Sequence, residues 1–159
     1  MLKLVTAEAE VRGQGRAVVR REGEATIVTS LSGRFLVEGG GKTVSLPGGK
    51  GTIVLSGRGP LAPMDLPVAP VDLWPGSDPV YVGPGVPIAL RWTPGGPAYQ
   101  VEVLPVGSDQ VLIQRDVGAP PARLEIPWPG AFRWRVASRD ARGLEGLPSK
   151  EGLICVDTK

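Results

Sequence analysis

The chain has 159 residues, and 23 Gly with 17 Pro make up a quarter of them without a strict Gly-X-Y period. At 42% hydrophobic, much of it Val, Leu and Ile, it still carries enough apolar side chain to bury a core in one ordinary domain or two small ones. A net charge of +2 is too small to point to nucleic acid, and the absence of histidine excludes Ser-His-Asp and Cys-His relays and any His-bearing metal site.

Charge is spread unevenly. Residues 1–60 hold nine Lys or Arg against five Glu, whereas residues 61–159 hold nine against eleven acidic residues. A mildly basic first half suits an anionic envelope polymer or an acidic protein face, although a solvated strand face carries the same signal. The start of the chain, Met1-Leu2-Lys3-Leu4-Val5-Thr6-Ala7-Glu8, lacks the apolar core of a secretory leader. No run approaches the ~18 apolar residues of a membrane span, so the residues given read as soluble, with any leader or anchor lying outside them.

In chain order, residues 4–12 alternate, with Val5, Ala7, Ala9 and Val11 on one side and Thr6, Glu8, Glu10 and Arg12 on the other, and predict one strand. Gly13-Gln14-Gly15 predicts a turn. Further short strands are expected over 16–20, 25–29, 34–38, 42–46 and 52–55. Their centres near 27, 36, 44 and 53 lie about nine apart, with Gly33, Gly39 to Gly41, Gly48-Gly49 and Gly57 as turns, which suits a meander, a small barrel or a short β-solenoid.

Proline then changes the texture. There is none before Pro47, but ten fall between Pro60 and Pro97. The stretch from Pro60 to Pro70 reads as an extended, semi-rigid linker. It divides a β domain over 1–59 from a second domain over 71–159. In the second domain, Ile88, Leu90 and Trp92, then Tyr99, Val101 and Val103, then Phe132, Trp134 and Val136 each alternate with polar residues. With strands near 80–82, 111–113, 123–126 and 152–156, about seven in all, this pattern predicts an antiparallel, immunoglobulin-like sandwich. Cys155, between Ile154 and Val156, reads as a small apolar residue of the last strand.

Two resemblances follow from these residues. Leu90-Arg91-Trp92-Thr93-Pro94, Tyr99-Gln100-Val101-Glu102-Val103 and Gly130-Ala131-Phe132-Arg133-Trp134-Arg135-Val136, followed by Gly143 and Gly146, resemble a bacterial fibronectin type III domain over about residues 71–156. The resemblance implies a core filled by Trp92 and Trp134. Phe132 stands where such domains keep a corner tyrosine. Gly33-Arg34-Phe35-Leu36-Val37-Glu38, the glycine turn 39–41, Val44-Ser45-Leu46 and Gly49-Lys50-Gly51-Thr52 resemble the closing part of a FecR-type domain over about 20–60. That family implies a bacterial envelope protein. The anti-sigma segment and membrane helix of the name-giving regulator have no counterpart here, so its signalling role does not carry over.

Motifs of catalysis fail on spacing. Gly41-Lys42-Thr43 has Leu36 where a phosphate loop needs Gly, and Gly13-Gln14-Gly15 has Val18 where a dinucleotide fingerprint needs Gly. Glu8 with Glu10, and Glu22 with Glu24, are spaced like a carboxylate pair but lie among Lys and Arg, as solvated outer-face residues do. Asp140, Glu145 and Glu151 lack the spacing of a calcium loop. The candidate contact residue is Trp128, held between Pro127 and Pro129 where an indole could stack on a sugar or a peptide. Trp74 is expected to pack where the linker enters the second domain.

The expectation is therefore an all-β chain: a small FecR-like β meander or solenoid, then a fibronectin type III-like sandwich. It is expected to be non-enzymatic, without cofactor or metal, to contact a protein or a cell-envelope polymer, and to act in the periplasm or at the cell surface. The alternatives are a structural spacer in a secreted or surface assembly, and an accessory module of a carbohydrate-active enzyme.

Overall fold

The computed structural model describes residues 2–158, and among them the regular structure is entirely β. The strands are β1 (Leu2–Val5), β2 (Glu10–Glu22), β3 (Ala25–Gly39), β4 (Lys42–Pro47), β5 (Lys50–Leu55), β6 (Gly59–Pro60), β7 (Met64–Asp65), β8 (Val80–Val82), β9 (Ile88–Leu90), β10 (Ala98–Pro105), β11 (Ile113–Val117), β12 (Ala122–Leu124), β13 (Gly130–Arg139) and β14 (Gly152–Val156). Among the described residues no helix is long and apolar enough to cross a membrane. Two compact units result: Met1–Leu66 with Arg142–Glu145, and Pro67–Ala141 with Gly146–Lys159.

The first unit is one sheet in the order β1-β2-β3-β5-β6, with β4 also on β3 and β7 also on β5. Its axis is the long hairpin of β2 and β3, antiparallel from Glu10↔Glu38 to Glu22↔Ala25. The first half of β3 pairs with β5 and the second half with β4, so the sheet forks at Gly33. Inward residues of these strands, Val11, Val28, Phe35, Val37, Leu46 and Val54, form the core together with Ala9. Within this unit Gly143 O accepts a bond from Arg20 Nη2 at 2.7 Å.

Three expectations for this half change. The strand predicted over 4–12 is interrupted at residues 6–9, where Thr6 N donates to Ala9 O at 2.8 Å and the chain turns between β1 and β2. Glycines 13, 15 and 33 do not turn the chain; they lie inside β2 and β3. There Gly15 faces Gly33 across the hairpin, and a Cβ on Gly33 would sit 2.0 Å from Gln14 O. Only bare backbones pass that close, so the predicted strands at 27 and 36 run on as one. Finally, Gly59–Pro60 and Met64–Asp65, within the proline-rich stretch, pair with β5 as short edge strands, and Lys50 is ion-paired with Asp65. The division between units falls after Leu66.

The second unit has a five-stranded sheet, β11-β10-β13-β14-β8, and a two-stranded sheet, β12-β9. All its pairs are antiparallel except β14 with β8. Ile88, Leu90, Ala122 and Leu124 of the small sheet share one core with Val101, Val103, Trp134, Val136, Ile154 and Val156 of the large one. This is the alternation anticipated in the sequence, with Trp92 and Trp134 inside it; their rings are 6.2 Å apart, and Tyr99 stands edge-on to Trp92 at 5.1 Å. Trp134 Nε1 donates to Pro75 O at 2.9 Å, so the buried indole is satisfied.

Phe132 is buried and has no hydroxyl to give, but Tyr99 supplies a clamp of its own. Its oxygen accepts the backbone N–H groups of Gly95 and Gly96 at 2.7 and 2.8 Å, tying the β9–β10 loop to the strand that follows. Trp74 is not packed away as expected. The residue is 51% exposed, and it is the neighbouring Leu73 that packs against the core. Backbone bonds of 2.9 and 2.8 Å with Arg91 hold Trp74 in place.

Candidate functional site

The hairpin of β2 and β3 carries an open groove on the first unit. Side chains of a strand alternate sides, so Val11, Phe35 and Val37 turn inward while Arg12, Gln14, Arg34 and Leu36 turn outward. Arg12 stands opposite Leu36, and Gln14 opposite Arg34, which places the two guanidinium groups diagonally across the strand pair. Gly13 and Gly33 between them have no side chain to fill the space. The result is an open groove of about 810 Å³ lined by Arg12, Gly13, Gln14, Gly33, Arg34 and Leu36.

Its electrostatics are one-sided. Arg34 Nη1 donates to Ser45 Oγ at 3.1 Å, a neutral acceptor that leaves the charge uncompensated. Among the described residues neither Arg12 nor Arg34 has a carboxylate partner, whereas Lys3 is paired with Glu10 at 3.5 Å and Arg21 with Glu8 at 2.8 Å. Two free guanidinium groups, an amide and an exposed Leu36 can hold an anionic group and an apolar one side by side.

Of the two carboxylate pairs, Glu22 and Glu24 are exposed as expected, whereas Glu8 is not. Glu8 is not on a solvated strand face: it lies in the 6–9 turn with its side chain only 3% exposed. Arg21 donates to it through Nε and Nη2, and Thr26 Oγ1 donates at 2.8 Å. The Arg21 and Thr26 bonds hold its carboxyl below the ordinary value of 4.5, against the opposing pull of burial. It is a structural anion that ties the 6–9 turn to the hairpin. Glu22 is 3.4 Å from Arg20. Glu151 is bonded to Arg133, and the described residues contain no group of three His, Cys, Asp or Glu able to hold a metal ion.

Trp128 precedes β13 and is 46% exposed, while Ile126 two residues earlier is buried. It is available to a flat ligand and belongs to the second unit, whereas the groove residues belong to the first. Cys155 is a free, half-buried thiol on β14. Gly13-Gln14-Gly15 has the composition of a turn, and that hides the groove from the sequence. Reading Arg12, Gln14 and Arg16 at period two, through the glycines, would have found its basic row. No protein-family model matches the chain, and no curated protein matches it either.

Proposed function

We propose that the chain is a non-enzymatic interaction module of the bacterial envelope, a FecR-like β unit joined to a fibronectin type III-like sandwich, acting in the periplasm or at the cell surface. Its partner is anionic, either an acidic protein or a cell-wall polymer, and the groove around Arg12 and Arg34 is the contact. The observation that carries this reading is a concave surface presenting two exposed guanidinium groups without carboxylate partners among the described residues, side by side with an exposed leucine. The lack of histidine and the engagement of Glu8 by Arg21 favour binding over hydrolysis. Trp128 offers a second, smaller contact.

Calorimetric titration of the whole chain with glycerol-phosphate oligomers, peptidoglycan fragments and an acidic peptide tests this. Binding to at least one of them should weaken more than tenfold in the Arg12→Ser, Arg34→Ser double variant, and should fall with added salt as exposed charges are screened. Loss on Trp128→Ala alone would move the contact to the second unit. Silence towards every anionic probe would leave the spacer reading in its place.

A further inference from the structure

β2 is thirteen residues long, but β1 covers only its first four, pairing from Val5↔Glu10 to Leu2↔Gly13. From Gln14 to Glu22, among the described residues, β2 has a strand neighbour on the β3 side alone. The direction of its backbone groups follows from the register. Ser56 N bonds Glu24 O and Gly49 N bonds Ser30 O, so the even-numbered residues of the first half of β3 turn their amides and carbonyls to β5. The odd-numbered ones, Ala25, Ile27 and Thr29, then face Glu22, Arg20 and Val18. Likewise Gly48 N bonds Gly33 O, which turns Gly33 towards β4 and away from Gly15. Beyond the register shift between Arg16 and Ala17, the backbone groups of Ala17, Val19 and Arg21 are left pointing to the open edge.

We propose that this edge receives an extended acidic segment of a partner protein, added antiparallel to β2 in line with β1. The inference rests on the anionic-partner reading above and names its chemistry. Open donors and acceptors two residues apart recur about every 6.8 Å, the repeat of another polypeptide backbone rather than of a glycan or a phosphate chain. Side chains select the acidic sequence: Gln14, Arg16 and Val18 are exposed along the edge, and Arg12 and Arg34 lie beside it. Arg16 has no ion pair among the described residues. Antiparallel pairing of two β2 edges about Val18 would set Arg16 opposite Arg20 of the other copy, which disfavours a second copy in that register. Basic side chains on an edge also discourage such self-association.

The test uses the whole chain and a synthetic eight-residue peptide alternating Glu and Thr, with the same peptide N-methylated at every second residue, in either phase, as control. The unmethylated peptide should slow amide exchange at Ala17, Val19 and Arg21 at least tenfold, and methylation in the bonding phase should weaken binding at least tenfold. Val19→Pro removes one edge donor without touching the β2–β3 ladder and should also abolish protection at Ala17 and Arg21. If methylated peptide and inorganic polyphosphate bind as well as the unmethylated peptide, with exchange at the edge unchanged, strand addition is overturned and the anionic groove stands. If none of the three probes perturbs Arg12 or Arg34 or the edge, both readings fall together.

Discussion

At the scale of single residues, Glu8 and Tyr99 each secure a turn that the chain would otherwise leave loose. Glu8 holds the 6–9 turn through Arg21 and Thr26, and the proton of Thr26 committed to Glu8 lets Thr26 accept from Thr6, 2.8 Å away. Because its folded pKa lies below 4.5, the ionised form stabilises the fold above that value, and the contribution is lost as pH falls through the lower, folded pKa. Thermal melts from pH 6 to pH 2 should therefore show the wild type losing its advantage over Glu8→Gln below about 4.5; parallel curves would dismiss this role. Tyr99→Phe keeps the ring against Trp92 and removes the acceptor of two backbone amides. It should cost about 1–2 kcal/mol in a denaturant titration, in keeping with amides left without a partner. Neither role can be read from sequence. The alternation of Thr6, Glu8 and Glu10 looks like one strand face, and nothing near Tyr99 announces that its hydroxyl reaches back to Gly95 and Gly96.

At the scale of elements, the contrast between the two halves has a physical cause. The second unit is legible because much of its strand sequence alternates: Val101 and Val103 go in, Gln100 and Glu102 stay half-buried on the other face, and that period marks the sheet. In the first unit glycine has two meanings. Gly40 and Gly41, at φ of 55° and 77°, turn the β3–β4 hairpin as expected, whereas Gly15 and Gly33, at 124° and 79°, let two strands cross in contact. Sequence offers no way to tell a turning glycine from a crossing one, since both need positive φ. The difference is testable at Gly33. Gly33→Ala puts a methyl group into Gln14 O in a left-handed conformation, and should cost on the order of 3 kcal/mol, against much less for Gly41→Ala, which has open space around it. Equal losses by urea titration would mean that the hairpin relaxes at the crossing. Gly33 of this close approach also lines the groove, so the turn-like composition of the glycines conceals the site in the sequence.

At the scale of the whole molecule, each unit has its own apolar cluster, one around Phe35 and Leu46 and the other around Leu90 and Trp134, with no residue in common. The tryptophans happen to separate the two optically. Trp74, Trp92, Trp128 and Trp134 all belong to the second unit, so indole fluorescence reports that core alone, while far-ultraviolet dichroism reports the strands of both. Leu46 is fully buried in the first core, and Leu46→Ala removes its contacts and leaves a cavity, at a cost of about 2–5 kcal/mol. If the two cores are independent folding units, this variant should advance the dichroism transition in urea and split it from the fluorescence transition, which stays where it is in the wild type. Leu90→Ala, at an equally buried position of the second core, should do the reverse and move the fluorescence midpoint. Midpoints that fall together in both variants would show instead that the chain melts as one cooperative unit despite its two separate apolar clusters.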